Sequence, residues 1–128
     1  MKLHPLLEHV NLVFHMMDRN NQVSKFTQGR SALDILRHMR EETLELEDEI
    51  IAGDDHMRQD ELGDCISGLA LLLAKMPTDV EPACNMVIEK FRRRKPWMFE
   101  DYEGPVPQSA EEEHALWNAT KKLEKEGT

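Results

Sequence analysis

The sequence predicts an all-α protein: an antiparallel bundle of four main helices plus a C-terminal helix, with copies of the chain associating as an oligomer. Three observations carry this. Apolar residues recur at helical spacing in successive stretches, as in Leu6, Val10, Val13 and Met17. Several stretches are preceded by Ser or Thr with an acid three residues on, the signature of a helix start. The apolar set is dominated by Leu and Met, with aromatics at only 5% of the chain. At 128 residues with 40% hydrophobic content, the chain is long enough for one domain with a modest core. Residues 1–104 are assigned to a helical core, and 105–128 to a linker and docking helix of the same domain.

The first helix is expected from Pro5 to Asp18, with Leu7 and Phe14 widening its apolar stripe and the polar run Arg19–Gln22 ending it. Val23 to Arg30 reads as a loop around Phe26 and Gly29. Ser31 with Asp34 opens the second helix, Ala32 to Ala52. The break IAGDD offers a glycine and an Asp N-cap, and so short a connection makes the second and third helices antiparallel neighbours. The third helix is expected from about His56 to Lys75, stopping before Pro77. Between Cys65 and Ala74 it is apolar on most sides, and a helix apolar all round has to be buried all round. A domain of four helices offers too little cover, so a second copy is expected there. Leu71, roughly 160° from Leu69 on the wheel, is placed at that interface. Gly63 and Gly68 would allow close helix approach.

Thr78 with Glu81 opens a fourth helix, Asp79 to Lys95, which tolerates Pro82 in its first turn. Glu100 to Gln108 is a linker. Ser109 with Glu112 opens the last helix, Ala110 to Lys125, whose thin apolar side makes Trp117 its anchor.

The chemistry concentrates between Arg40 and Leu73. Glu42 with Glu45, and Glu61 with Asp64, are acidic pairs three residues apart, hence neighbours on a helix face. On the second helix, Ile35, Met39, Leu46 and Ile50 form the core stripe; Glu42 lies about 40° from Leu46 and Glu45 one step further round, so both are expected where the stripe meets a cleft. Glu41 points further outward. Glu61 and Asp64 border the apolar segment of the third helix. Acidic runs on an acidic protein are usually a solvated face, but carboxylates set against apolar surface are uncommon unless paired or metal-bound. Four hard oxygen ligands brought together suit magnesium or manganese. Lys90 and Arg94 share a face of the fourth helix. Taken alone they complement its C-terminal dipole; beside a metal cluster the same residues suit phosphate oxygens.

Composition excludes other classes. A net charge of −9 argues against non-specific binding of a nucleic acid polymer. The six histidines follow no zinc-ligand spacing. Cys65 and Cys84 belong to no CxxC and read as reduced core residues of a cytoplasmic protein. No apolar run reaches the length of a membrane span, and the N-terminus has no signal-peptide design.

Three blocks, in order, carry a family resemblance. Glu41-Glu42-x-x-Glu45 followed by Glu61-Leu-Gly-Asp64 resembles the EExxE…ExxD signature of the MazG-type all-α nucleoside triphosphate pyrophosphohydrolases. Lys90 to Phe99 is similar to the family's KFxRRxPxxF segment, and Leu116 to Lys121 to its LWxxxK segment. The resemblance covers Ser31 to Glu126. It implies hydrolysis of a nucleoside triphosphate to the monophosphate and pyrophosphate. Glu42, Glu45, Glu61 and Asp64 would hold Mg (or Mn), Lys90 and Arg94 the polyphosphate, and Trp117 would lie near the base. It also implies a homodimer or higher oligomer. The chain departs from the family where a CPWD-like segment would precede EExxE, having VSKFTQGRS instead. The alternatives are a non-catalytic helical oligomer that binds nucleotide or a partner protein, and a narrower dCTP, dUTP or phosphoribosyl-ATP pyrophosphohydrolase.

Overall fold

The computed structural model describes residues 3–127. Among them are six α-helices and no strand: α1 (Leu7–Val23), α2 (Lys25–Gln28), α3 (Ala32–Ala52), α4 (Asp55–Lys75), α5 (Pro77–Arg94) and α6 (Ala110–Glu126), with a 3-10 turn at Pro96–Met98. Residues up to Pro77 form one compact unit and those from Thr78 another.

In the first unit α4 packs against both α3 and α1. The starts of α3 and α4 are fixed locally. Ser31 Oγ accepts from the Asp34 amide while Asp34 Oδ2 accepts from the Ser31 amide, a complete capping box. Asp54 Oδ1 accepts from the Met57 amide at 2.8 Å. The two residues between these helices, Gly53 and Asp54, are both extended. Gly53 donates its amide to the Glu49 carbonyl so closely that a Cβ there would stand 2.7 Å from that oxygen. The turn therefore needs glycine for space, not for an unusual φ. Further along, a Cβ on Gly68 would lie 3.1 Å from Met39 Cγ, so this glycine brings α4 close to α3, whereas Gly63 faces open space.

Among the described residues the buried hydrophobic ones are Ile35, Ala70 and Leu71, with Met39 and Leu46 half-buried along the α3 stripe and Ile50 exposed. Leu71 is only 6% exposed, which corrects its expected place at an interface between copies. α4 is packed by both α1 and α3, and Leu71 stands with Met17 of α1 and Ile35 of α3 around one cavity, so the single chain already buries it, a choice the helical wheel leaves open. The open face of α4 instead presents Leu62 (47% exposed) and Leu69 (44%), with half-buried Ile66 and Leu73 on the same i, i+4, i+7, i+11 stripe.

In the first unit the end of α1 and the loop after it differ from expectation. α1 continues through the polar run to Val23 because its amides find tertiary partners: Asn20 Nδ2 donates to Thr27 Oγ1 at 2.9 Å and Asn21 Nδ2 to the Ala74 carbonyl at 3.5 Å. The expected loop contains the single turn α2, capped by Ser24 Oγ on the Thr27 amide. Thr27 is buried, and its carbonyl accepts from Lys75 Nζ at 2.7 Å, which ties this turn to the end of α4.

α5, which carries the chain into the second unit, begins at Pro77, so Thr78 lies inside the helix and does not cap it. Proline has no amide to satisfy and a pre-set φ, which suits the first helical position. That start moves Pro82 into the second turn, where its missing amide leaves the Thr78 carbonyl without an i+4 donor. Every residue from Glu81 to Lys90 is exposed, Cys84 included, so Cys84 is not a core residue. α6 docks on the end of α5: the Trp117 and Phe91 ring centroids lie 5.7 Å apart. Glu124 accepts from Arg93 Nε and Arg94 Nη2, each at 2.9 Å. These two guanidinium hydrogen bonds, Arg94's first, hold the Glu124 carboxyl down at about 2.

Candidate metal centre

The site is built on the first unit, where α3 carries Glu42 and Glu45 and α4 carries Glu61 and Asp64. Because the Gly53–Asp54 turn makes the helices neighbours, carboxylates 19 positions apart in sequence, such as Glu42 and Glu61, meet. One oxygen each from Glu42, Glu45 and Glu61 lies within 4.8 Å of the others. A second such group joins Glu61 to Asp60 and Asp64. Asp60 was not anticipated from the sequence. Its only signal is adjacency to Glu61.

Glu42 is 14% exposed at its side chain and Glu41 74%, so the wheel's distinction between inward and outward glutamates holds. Glu42 Oε2 and Glu61 Oε2 are both buried and without a hydrogen-bond partner. Buried carboxylate oxygens ordinarily find a donor or a cation. Burial, then the charges of Asp64 and Glu45, pushes the Glu42 carboxyl above its usual range. Glu61 is pushed up to about 7, first by burial and then by the charge of Glu45 and a hydrogen bond shared with it. Burial, then the charge of Glu42 and the other carboxylates, also raises the Cys65 thiol, which disfavours its thiolate. An all-oxygen donor set with two unsatisfied buried oxygens fits a hard divalent cation.

Two further features escaped the sequence reading. His38, one turn before Glu42, has its Nε2 2.8 Å from Glu42 Oε1. A cavity of about 390 Å³ opens beside Glu42 and Asp64 and runs toward Asn20, Phe26, Thr27 and Arg30. The segment VSKFTQGRS thus lines this cavity, with Arg30 stacked 5.4 Å from the centre of the Phe26 ring.

Lys90, Arg94 and Trp117 belong to the second unit. Arg94 sits over the Trp117 ring at 4.8 Å and pairs with Glu124, while Lys90 is exposed further back on α5. A cavity of about 450 Å³ borders Phe91, Lys95, His114 and Trp117.

A model of the MazG nucleotide pyrophosphohydrolase domain matches residues 30–99. The chain belongs to the MazG family. All four carboxylates of the two acidic pairs fall inside the matched MazG segment, as do Lys90 and Arg94, whereas Trp117 lies beyond it. The fold is similar to the crystal structure of a mazG-related protein from Thermotoga maritima, with a TM-score of 0.74 and 25% sequence identity over 88% of this chain and 98% of that one. No curated protein sequence matches. Among the described residues, no helix is long and apolar enough to cross a membrane.

Proposed function

We propose that this MazG chain is a divalent-metal nucleoside triphosphate pyrophosphohydrolase that converts an NTP or dNTP to the monophosphate and pyrophosphate. The observation that carries the reading is the pair of buried, unpartnered oxygens, Glu42 Oε2 and Glu61 Oε2, in a cluster of carboxylates on a MazG domain. Glu42, Glu45, Glu61 and Asp64 would hold magnesium or manganese. Such ions, once bound, neutralise the triphosphate and activate water. Glu45, the solvent-open member of the Glu42, Glu45 and Glu61 group, would orient the attacking water and take its proton. Water then bonds to the α-phosphorus and the α–β bridging bond breaks, releasing pyrophosphate. The cavity beside Glu42 and Asp64 leaves room next to the carboxylates for part of a nucleotide. Lys90 and Arg94 would bind the polyphosphate and Trp117 would lie near the base; for Arg94 this means competing with Glu124.

A homodimer or higher oligomer belongs to the same reading. The open stripe on α4, Leu62, Ile66, Leu69 and Leu73, supports it, since contiguous exposed apolar surface is rare on monomers. A cytoplasmic location is part of the proposal. The test is a panel of NTPs and dNTPs with and without magnesium, scoring pyrophosphate against orthophosphate. Orthophosphate as the product, or no turnover with any nucleotide, would defeat the reading.

A further inference from the structure

We propose that His38 is a positioning residue that makes Glu42 a one-oxygen ligand and so biases the centre toward small octahedral cations. The inference rests on the metal reading above. His38 and Glu42 stand one helical turn apart on α3, and Nε2 meets Glu42 Oε1 at 2.8 Å. The other ring nitrogen lies 3.5 Å from Glu41 Oε2, so the imidazole is bracketed by two carboxylates of its own helix. Two oxygens of one carboxylate are thereby given different tasks. Oε1 is engaged by the ring. Oε2 is buried, unpartnered and left for the cluster.

A free glutamate can rotate about its terminal bond and offer either oxygen, or both at once. With Oε1 held by the ring, turning the carboxylate to offer both oxygens would break that hydrogen bond, and Oε2 is the oxygen left without a partner. Bidentate carboxylates suit Ca²⁺, which accepts roughly six to eight ligands at long distances, whereas Mg²⁺ and ions of similar size demand near-octahedral geometry. Hydrogen bonds that orient a ligating group typically contribute about 10- to 100-fold to metal affinity. His38 is 47% exposed at its side chain, so its removal takes little packing from the core.

The experiment is calorimetric titration of the nucleotide-free protein with Mn²⁺ and separately with Ca²⁺, for the unmodified chain, His38→Ala, His38→Gln and His38→Asn. His38→Ala should weaken Mn²⁺ binding by about 10- to 100-fold and Ca²⁺ binding distinctly less. His38→Gln, whose amide N–H reaches about as far as Nε2, should recover most of the loss, and the shorter His38→Asn should not. Equal weakening for both ions, or unchanged Mn²⁺ affinity, would overturn the proposal. So would His38→Gln and His38→Asn binding alike, a comparison that stands if His38→Ala fails to fold. An unmodified chain that binds neither ion would defeat the metal reading itself, and this proposal with it.

Discussion

Replacing Glu42 by Gln keeps the side chain's size and puts an amide where the cluster needs a carboxylate. The structure sets the scale of the loss. Glu42 is 14% exposed, one of its oxygens is buried without a partner, and the other meets His38. Groups that merely orient a ligand typically contribute ~10- to 100-fold, so a residue in the donor set itself should contribute more. A fall of ~100- to 1,000-fold in kcat/KM is expected, equivalent to ~3–4 kcal/mol of transition-state stabilisation. Glu41→Gln removes the same charge one residue away, from a side chain 74% exposed. Surface substitutions of that kind lie within ~0.5 kcal/mol, about twofold. The assay is the initial rate of pyrophosphate release over nucleotide concentrations below and above KM at one fixed magnesium concentration, with folding checked by circular dichroism. Without metal, Glu42→Gln should also melt higher than the unmodified chain, because it relieves repulsion within the cluster. Equal losses in the two variants would refute the reasoning, as would a metal-free melting point that falls.

Other outcomes follow from the same geometry. In the metal-free fold Glu61 keeps its proton to about pH 7, against 4.5 for the unperturbed group, so between these values the folded state binds the extra proton. Stability should therefore fall as pH rises from about 4.5 to about 7; thermal melts across that range check this, and Glu61→Gln should flatten the slope. Adding Mg²⁺ near pH 6.5 should release protons, measurable in weakly buffered solution. Glu124 behaves in the opposite sense: its carboxyl sits at about 2, so the stability it lends the second unit is lost as pH falls from about 4.5 toward 2. Lys90→Ala should raise KM without changing the melting temperature, while Arg94→Ala, which also frees Glu124 and Trp117, should speed amide hydrogen exchange in α6. Light scattering should give a mass at least twice 14.9 kDa, and Leu69→Asp on the open face of α4 should reduce it.

What the sequence determined by itself was whatever depends on near neighbours in the chain. The limits of α3, its capping box, the Asp54 cap and the Gly53–Asp54 turn all rest on contacts within a few residues, and they are as expected. The acidic pairs follow from the same local geometry, since residues three apart on a helix share a face whatever packs against it. Glu42 turned in and Glu41 out is a matter of phase, which the pattern of apolar residues already fixes. Tertiary structure decided which face each helix shows to which neighbour. The wheel of α4 is nearly uniform between Cys65 and Ala74, so it is the packing of α1 and α3 that decides Leu71 is buried while Leu62 and Leu69 stay open. The polar end of α1 reads as a helix stop until Thr27 and the Ala74 carbonyl supply partners for its amides. Asp60 and His38 carry no pattern that separates them from surface residues. Their partners are local, within one turn of the same helix; what marks those partners out is the burial of Glu42 and Glu61 where α3 meets α4, which local sequence does not encode.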